Sequence, residues 1–315
     1  MDVMTSEKRT AQLTTRALQR AIFLAFIYIA LIFLLPASKA TMRAYHLSTL
    51  EYRAILFTVT LPSLVAWLAA FVGYAKLRQY VHSIRETPEG AYFDKLATGC
   101  AWLAWSLPLP AIFSLILSAM ADKWPAFYPS SIIASNYLNL FLPLIAFSII
   151  GSASRGLVSQ AALKFSLASV RIIMLLFLVA GVLYCYLTFQ RFDLTSLSST
   201  HNPYFLPVWL MVLTVIVPYL YAWFVGLLAA YEITLFSKHA KGVLYRQALG
   251  LLAAGLITII ASSIALQYLN GVEPRIGHLA INYQLVLSSI FRIVGGGGFV
   301  LLTIGAARLK KIEEV

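Results

Sequence analysis

The stretch PSLVAW at residues 62–67 recurs as PYLYAW at residues 218–223, and each copy lies within a long hydrophobic run. The proline, the alanine and the tryptophan occupy the same places in both copies. A motif repeated in matching hydrophobic runs indicates that one membrane unit was duplicated along the chain. A duplicated unit with an even number of spans keeps the same orientation in the bilayer.

Further matches between the two halves follow in the same order along the chain. GAYF at 90–93 corresponds to GVLY at 242–245, and both segments lead into a new hydrophobic run. An Asn-Tyr pair at 136–137 recurs at 282–283. Chance similarity is the alternative, because membrane helices use a narrow set of residue types. The shared order of the matches favours duplication.

The composition requires lipid rather than water around most of the chain. The 315 residues are 60% hydrophobic and 11% charged, with a mean hydropathy of +0.82. Soluble proteins are roughly half apolar and about a quarter charged. The apolar runs are continuous and about 20 residues long, which is the length of a transmembrane helix rather than of a barrel strand.

The sequence therefore predicts an all-α integral membrane protein of eight transmembrane helices, arranged as two tandem four-helix repeats. The first repeat covers residues 1–160, with spans at about 18–36, 54–76, 96–121 and 131–151. The second covers residues 161–315, with spans at about 168–190, 205–231, 246–269 and 281–308. A pseudo-twofold axis along the membrane normal would relate the two repeats.

The placement of positive charges predicts that both termini are cytoplasmic. With that orientation, seventeen of the 24 Lys and Arg residues fall on the inside, six fall outside, and Arg292 lies within a span. Cytoplasmic loops carry such an excess of Lys and Arg in membrane proteins. The net charge of +12 is then a basic rim that faces anionic lipid, and it needs no nucleic acid as a partner.

The eighth span contains the strongest candidate for a binding site. Arg292 lies about ten residues, or roughly 15 Å of helix, from Asn282 at the predicted outer end, which places the side chain near the middle of the bilayer. A central arginine costs about 3 kcal/mol on insertion scales. The sequence places no Asp or Glu at this depth, so hydroxyls, carbonyls, water or a bound anion must satisfy the guanidinium.

A run of four glycines follows this arginine: Gly295, Gly296, Gly297 and Gly298. Aligning Asn136 with Asn282 and Gly151 with Gly305 leaves eight extra residues around this run in the second repeat. Either the glycines let another helix approach closely, or the helix breaks there and lines a polar cavity. The candidate ligand-binding residues are Arg292, the four glycines, Ser288, Ser289, Asn139 and Tyr283.

Other chemistry is poorly supported by the sequence. The histidines all fall in predicted loops or helix ends, which disfavours haem, and no catalytic or metal-binding motif is present, so we expect no cofactor, metal site or catalytic residue. Five basic residues at predicted helix ends are candidates for contact with a partner or with lipid, although a plain topology signal explains them equally well: Lys76, Arg78, Arg85, Lys238 and Lys241.

Three functional classes follow from these features. A sensory or scaffold module without catalytic activity fits the short loops and the basic helix ends. A transporter for a small anionic or zwitterionic solute fits the repeat and the arginine–glycine segment, and a lipid-modifying enzyme is a third alternative. We expect a bacterial inner-membrane location. As partners we expect anionic headgroups at the cytoplasmic face and either a second copy or another membrane or cytoplasmic protein.

Overall fold

The computed structural model describes residues 3–35, 48–123, 128–163, 170–172, 174–175, 177–179, 181, 213, 216–272 and 280–313. Regular structure in these residues is helical throughout, and they contain no strand. The eight main helices, in chain order, are α1 (Val3–Leu34), α2 (Thr49–Ser83), α3 (Gly90–Trp105), α4 (Pro108–Lys123), α5 (Tyr128–Gln160), α6 (Val217–His239), α7 (Val243–Val272) and α8 (Ala280–Glu313).

Seven helical segments among the described residues are long and apolar enough to cross a membrane. They correspond to the predicted spans one to four and six to eight, and α3 and α4 together form the third. Apolar side chains such as Phe26, Ile257 and Ile293 point outward, as expected for helices surrounded by lipid. The chain is thus an integral membrane protein by the length and composition of its helices. Most of the predicted fifth span lies outside the described residues.

The helices pack into one bundle with α2 near its centre. Helix α2 contacts α1, α3 and α8, while α5 contacts α3, α4 and α6. Helix α7 lies between α6 and α8 and contacts both. Because the bundle is closed by α8 packing against α2, residues far apart in sequence meet in its interior.

The prolines of the third span break that helix rather than only bending it. Helix α3 ends at Trp105, residues 106–107 form a turn, and α4 begins at Pro108. Proline lacks a backbone N–H and restricts the residue before it, so the helix stops there. Pro62 lies inside α2 without interrupting it.

The two tryptophans of the repeated motif are packed inside the bundle. Trp67 and Trp223 are each 2% exposed. The ring of Trp67 lies edge-on to Tyr28 of α1, with centroids 5.4 Å apart. Trp223 donates its indole N–H to the hydroxyl of Ser263 on α7, at 3.2 Å. The two tryptophans therefore meet different neighbours.

One end of the bundle, here called the basic face, is where α2 ends at Ser83 and α3 begins at Gly90. Tyr80 of α2 lies 3.5 Å from Tyr245 at the start of α7, through their hydroxyls, and Tyr245 also donates to Glu89 at 3.4 Å. Arg308 near the end of α8 donates to Gln247 of α7 at 3.2 Å. These contacts bring the ends of α2 and α8 and the starts of α3 and α7 to the same face.

Candidate functional site

Helix α8 runs without a break through the four glycines, and three of them, Gly295, Gly296 and Gly298, face atoms of neighbouring helices. A Cβ atom added to Gly298 would lie 2.8 Å from the carbonyl oxygen of Gly255 on α7, and one added to Gly255 would lie 2.7 Å from the carbonyl oxygen of Gly298. A Cβ on Gly295 would lie 2.7 Å from the hydroxyl of Ser262. The two backbones meet because neither helix carries a side chain there, as small residues allow between membrane helices.

Arg292 lies on the outer surface of α8 rather than on the wall of an internal cavity. Its guanidinium donates to the hydroxyl of Ser63 on α2 at 3.3 Å and to that of Ser288, one turn earlier on α8, at 3.5 Å. The side chain is exposed, and so are the neighbouring Ile290 and Ile293. The sequence did not decide whether protein oxygens, water or a bound anion would satisfy Arg292. In the structure, two protein hydroxyls accept its hydrogen bonds.

The described hydrogen bonds of Arg292 include neither Ser289 nor Asn139. Ser289 is half-buried on α8. Asn139 is exposed on α5, which packs against α3, α4 and α6, whereas α8 packs mainly against α7 and α2. The side chain of Tyr283 lies outside the described residues.

Replacing Arg292 with glutamine is expected to change the free energy of unfolding by less than about 1 kcal/mol, because it removes two long hydrogen bonds to hydroxyls at an exposed position. SDS-induced unfolding of the purified protein in mixed micelles measures this change. A loss of several kcal/mol would show instead that the arginine holds the bundle together.

A polar cluster that the sequence did not predict lies between α5 and α6, around a buried carboxylate. Glu232 of α6 is 1% exposed and accepts a hydrogen bond from the hydroxyl of Ser154 on α5. Its Oε1 lies 3.5 Å from Nε of Arg155, whose side chain is 65% exposed. An ionisable group inside a membrane helix is expensive unless it is paired. The available signal was an acid within an apolar run and an Arg at the end of another run.

The basic face carries an open cavity of about 620 Å³. Two of the five predicted contact residues, Arg78 and Arg85, line this cavity. Lys76 is half-buried on α2, and Lys238 and Lys241 are exposed at the end of α6 and in the turn after it. The fold therefore brings one part of the predicted basic set into a concave surface and leaves the rest on the outer rim.

Within the described part of the chain, no three His, Cys, Asp or Glu side chains are placed to share a metal ion. No protein-family model, curated protein or solved structure matches this chain.

Proposed function

We propose that the protein is a sensory or scaffold module of the bacterial inner membrane without catalytic activity, with its basic face in the cytoplasm. The main support is a closed centre among the helices that the structure describes. The cavity between α2, α3, α7 and α8 has a volume of about 10 Å³ and is lined by residues such as Cys100, Phe299 and Thr303. Ligand pockets usually hold about 300–1,000 Å³, so this space is too small for a solute.

The orientation rests on the positive-inside rule. The described basic face carries Arg78, Arg85, Lys238, Lys241 and Arg308 at helix ends or in turns. Exposed basic side chains at this level suit contact with anionic headgroups or with a partner protein. In this proposal the basic face recognises a partner or headgroups, and the apolar interior holds the helices together.

A two-unit architecture is part of the same proposal, and the helix contacts support it. The contact of α2 with α3 has a counterpart in that of α6 with α7. The contact of the third span with the fourth, α3 with α5, likewise has a counterpart in that of α7 with α8. Between the units, α2 packs against α8, and the corresponding pair, α6 and α5, also packs.

Individual glycine contacts agree with this correspondence. A Cβ on Gly99 would lie 3.1 Å from the carbonyl oxygen of Ala146 and 3.1 Å from the backbone nitrogen of Ile150. A Cβ on Gly255, which stands 156 residues after Gly99, would lie 2.7 Å from the carbonyl oxygen of Gly298 and 3.0 Å from the backbone nitrogen of Leu302. Each glycine thus faces a carbonyl and the backbone four residues later on its partner helix.

The same contacts give a register between α5 and α8 that differs from the sequence alignment. Thr303 donates to the carbonyl oxygen of Ala69 at 2.6 Å. A Cβ on Gly151 would lie 3.8 Å from the carbonyl oxygen of Val225, the residue that corresponds to Ala69. Thr303, rather than Gly305, then takes the place of Gly151. The glycine match suggested by sequence is displaced by two residues.

Cys100 provides a direct test because it lines the central cavity. In a chain with Cys185 replaced by serine, we expect Cys100 to resist a membrane-impermeant maleimide in native vesicles opened to both sides, and to react fully after denaturation in SDS. Labelling is read by mass spectrometry. A scaffold keeps this thiol closed, whereas a transporter must open its centre in some conformation.

The matched control is Ala91→Cys in a chain that lacks both native cysteines. Ala91 is exposed and lines the open cavity at the basic face, so this thiol should react readily in the native protein. Native labelling of Cys100 at a rate similar to that of the control would overturn the closed-centre proposal. Suppression of that labelling by a small anion would favour transport.

A further inference from the structure

The open cavity at the basic face has one wall made by a single stripe of α2. Tyr74, Arg78, Val81 and His82 line it, and Arg85 continues the wall just after the helix ends. Positions three, four, seven and eight residues apart lie on the same face of a helix. The spacing of these residues therefore directs an aromatic ring and several nitrogen-bearing side chains toward one space.

The facing wall is the first turn of α3, which the chain reaches through a tight turn. Gly90, Ala91 and Asp94 line this side. A Cβ on Gly90 would collide with the carbonyl oxygen of Ile84, so a side chain at this position would push the two walls apart. Leu13 of α1 closes the cavity on its third side. Three helices thus shape a concavity where the bundle meets the aqueous phase.

The charges around this space do not cancel. Arg78 is paired with Asp94 across the cavity, which fixes the direction of its guanidinium. Arg85 has no hydrogen-bond or ion-pair partner among the residues that the structure describes, and it is exposed. A guanidinium has five N–H donors in a planar fork, and one carboxylate contact leaves most of those on Arg78 available. The cavity therefore offers an oriented arginine and a second arginine without a counter-charge.

We propose that this cavity binds the phosphate group of an anionic ligand, with Arg85 and Arg78 as the main donors. Arginine forks match phosphate oxygens in geometry and form charge-assisted hydrogen bonds with them. The volume of about 620 Å³ is that of a small-molecule site. Tyr74 and Val81 give the apolar lining that would contact the rest of the ligand. Such binding does not depend on whether the protein signals or acts as a scaffold.

The phosphate could belong to a soluble metabolite or to a lipid headgroup, because the cavity lies at the end of membrane helices. Both sources present the same anionic oxygens. They differ in how they arrive, since a lipid enters from the bilayer and is retained through purification, while a soluble phosphate exchanges with the buffer.

The experiment uses the full chain in nanodiscs. In phosphatidylcholine nanodiscs, binding of inorganic phosphate and of glycerol 3-phosphate is measured by calorimetry. In a parallel arm, retention of phosphatidylglycerol on protein released from mixed-lipid nanodiscs is measured by native mass spectrometry. Arg85→Gln should weaken either the affinity for the soluble phosphates or the retention of phosphatidylglycerol by about tenfold or more. This is the loss expected when a charge-assisted contact to phosphate is removed. Arg246→Gln is the matched control, because Arg246 of α7 is an exposed arginine that does not line the cavity.

Binding of phosphate or glycerol phosphate that Arg85→Gln weakens and Arg246→Gln does not would support a soluble ligand. Lipid retention with that same dependence would support a headgroup. Equal losses of binding in both variants would show that basic residues across this face attract anions in general, and this result would overturn the site. Absence of binding in both arms would also overturn it.

Asp94→Asn provides a second readout that does not require loss of binding. Asparagine cannot form the ion pair, so it releases Arg78 and removes the only carboxylate among the described residues that line the cavity. We expect the affinity for phosphate, or the retention of anionic lipid, to rise by a few-fold. Unfolding curves that match those of the natural chain establish that the cavity is intact. A fall in affinity with an intact fold would contradict the proposed role of the two arginines.

Discussion

Replacing Gly298 with alanine is expected to lower the free energy of unfolding by about 1–3 kcal/mol, the range for forcing extra atoms into a packed interior. The new methyl group would lie 2.8 Å from the carbonyl oxygen of Gly255 and 3.0 Å from the backbone nitrogen of Ile259. Both are backbone atoms of α7, so the collision is relieved only if the whole helix moves. The change is measured by SDS-induced unfolding in mixed micelles.

Gly297→Ala is the matched control, one residue away in the same glycine run. An added Cβ at Gly297 meets no described atom within 4 Å, and the residue is exposed. Alanine favours a helix over glycine by up to about 1 kcal/mol. The control should therefore be as stable as the natural chain or more stable. If the free energy of unfolding falls by the same amount in both variants, α7 and α8 do not approach each other closely at Gly298.

Replacing Arg155 with glutamine is expected to destabilise the protein by about 1–3 kcal/mol, because it leaves the buried carboxylate of Glu232 without its counter-charge. Removing one partner of a fully buried pair costs about 3–5 kcal/mol. The smaller figure applies here because the side chain of Arg155 is 65% exposed and water screens part of the interaction.

The double variant Arg155→Gln with Glu232→Gln should recover most of this loss. A neutral glutamine at position 232 retains a hydrogen-bonding oxygen for Ser154 and needs no counter-charge. The coupling between the two sites is obtained from a double-mutant cycle of unfolding free energies. Arg308→Gln on α8 is the control, since it removes only one exposed hydrogen bond to Gln247. A double variant no more stable than Arg155→Gln alone would show that the two side chains are not coupled.

Glu232 and Arg155 matter beyond stability because they join α5 to α6, the helices at one of the two proposed contacts between units. At the other, α2 and α8 are joined by Thr303 and the carbonyl of Ala69 and by Arg292 with Ser63. The two contacts thus differ in chemistry: both contain hydroxyls and an exposed arginine, and the described contact between α5 and α6 also contains a buried acid. A duplicated unit that keeps its packing can still diverge at the surfaces where the copies meet.

The sequence predicted the helices well where hydrophobicity decides the outcome. The long apolar runs became helices that can cross a membrane. These features depend on local composition, which a single chain states directly.

The candidate site was predicted less well, because it depends on which faces of distant helices meet. Four consecutive glycines in one run allowed either a break or a close approach, and the choice was made by Gly255, more than 40 residues earlier, on the facing helix. Arg292 was expected near the bilayer centre, but the direction of its side chain was set by the packing of α8 against α2. Glu232 became significant only when α5 placed Ser154 and Arg155 beside it.

By itself, the sequence determined that this chain belongs in a membrane and which of its stretches are long and apolar enough to cross it. Those properties arise from the transfer of apolar side chains into lipid and from backbone rules that act over a few residues. Tertiary structure alone decided that the cavity between α2, α3, α7 and α8 is small, that an acid is buried between α5 and α6, and that Arg78 and Arg85 share a cavity. Such features require side chains from separate helices to meet. The hydrophobic pattern of the sequence does not specify which helices pack against each other.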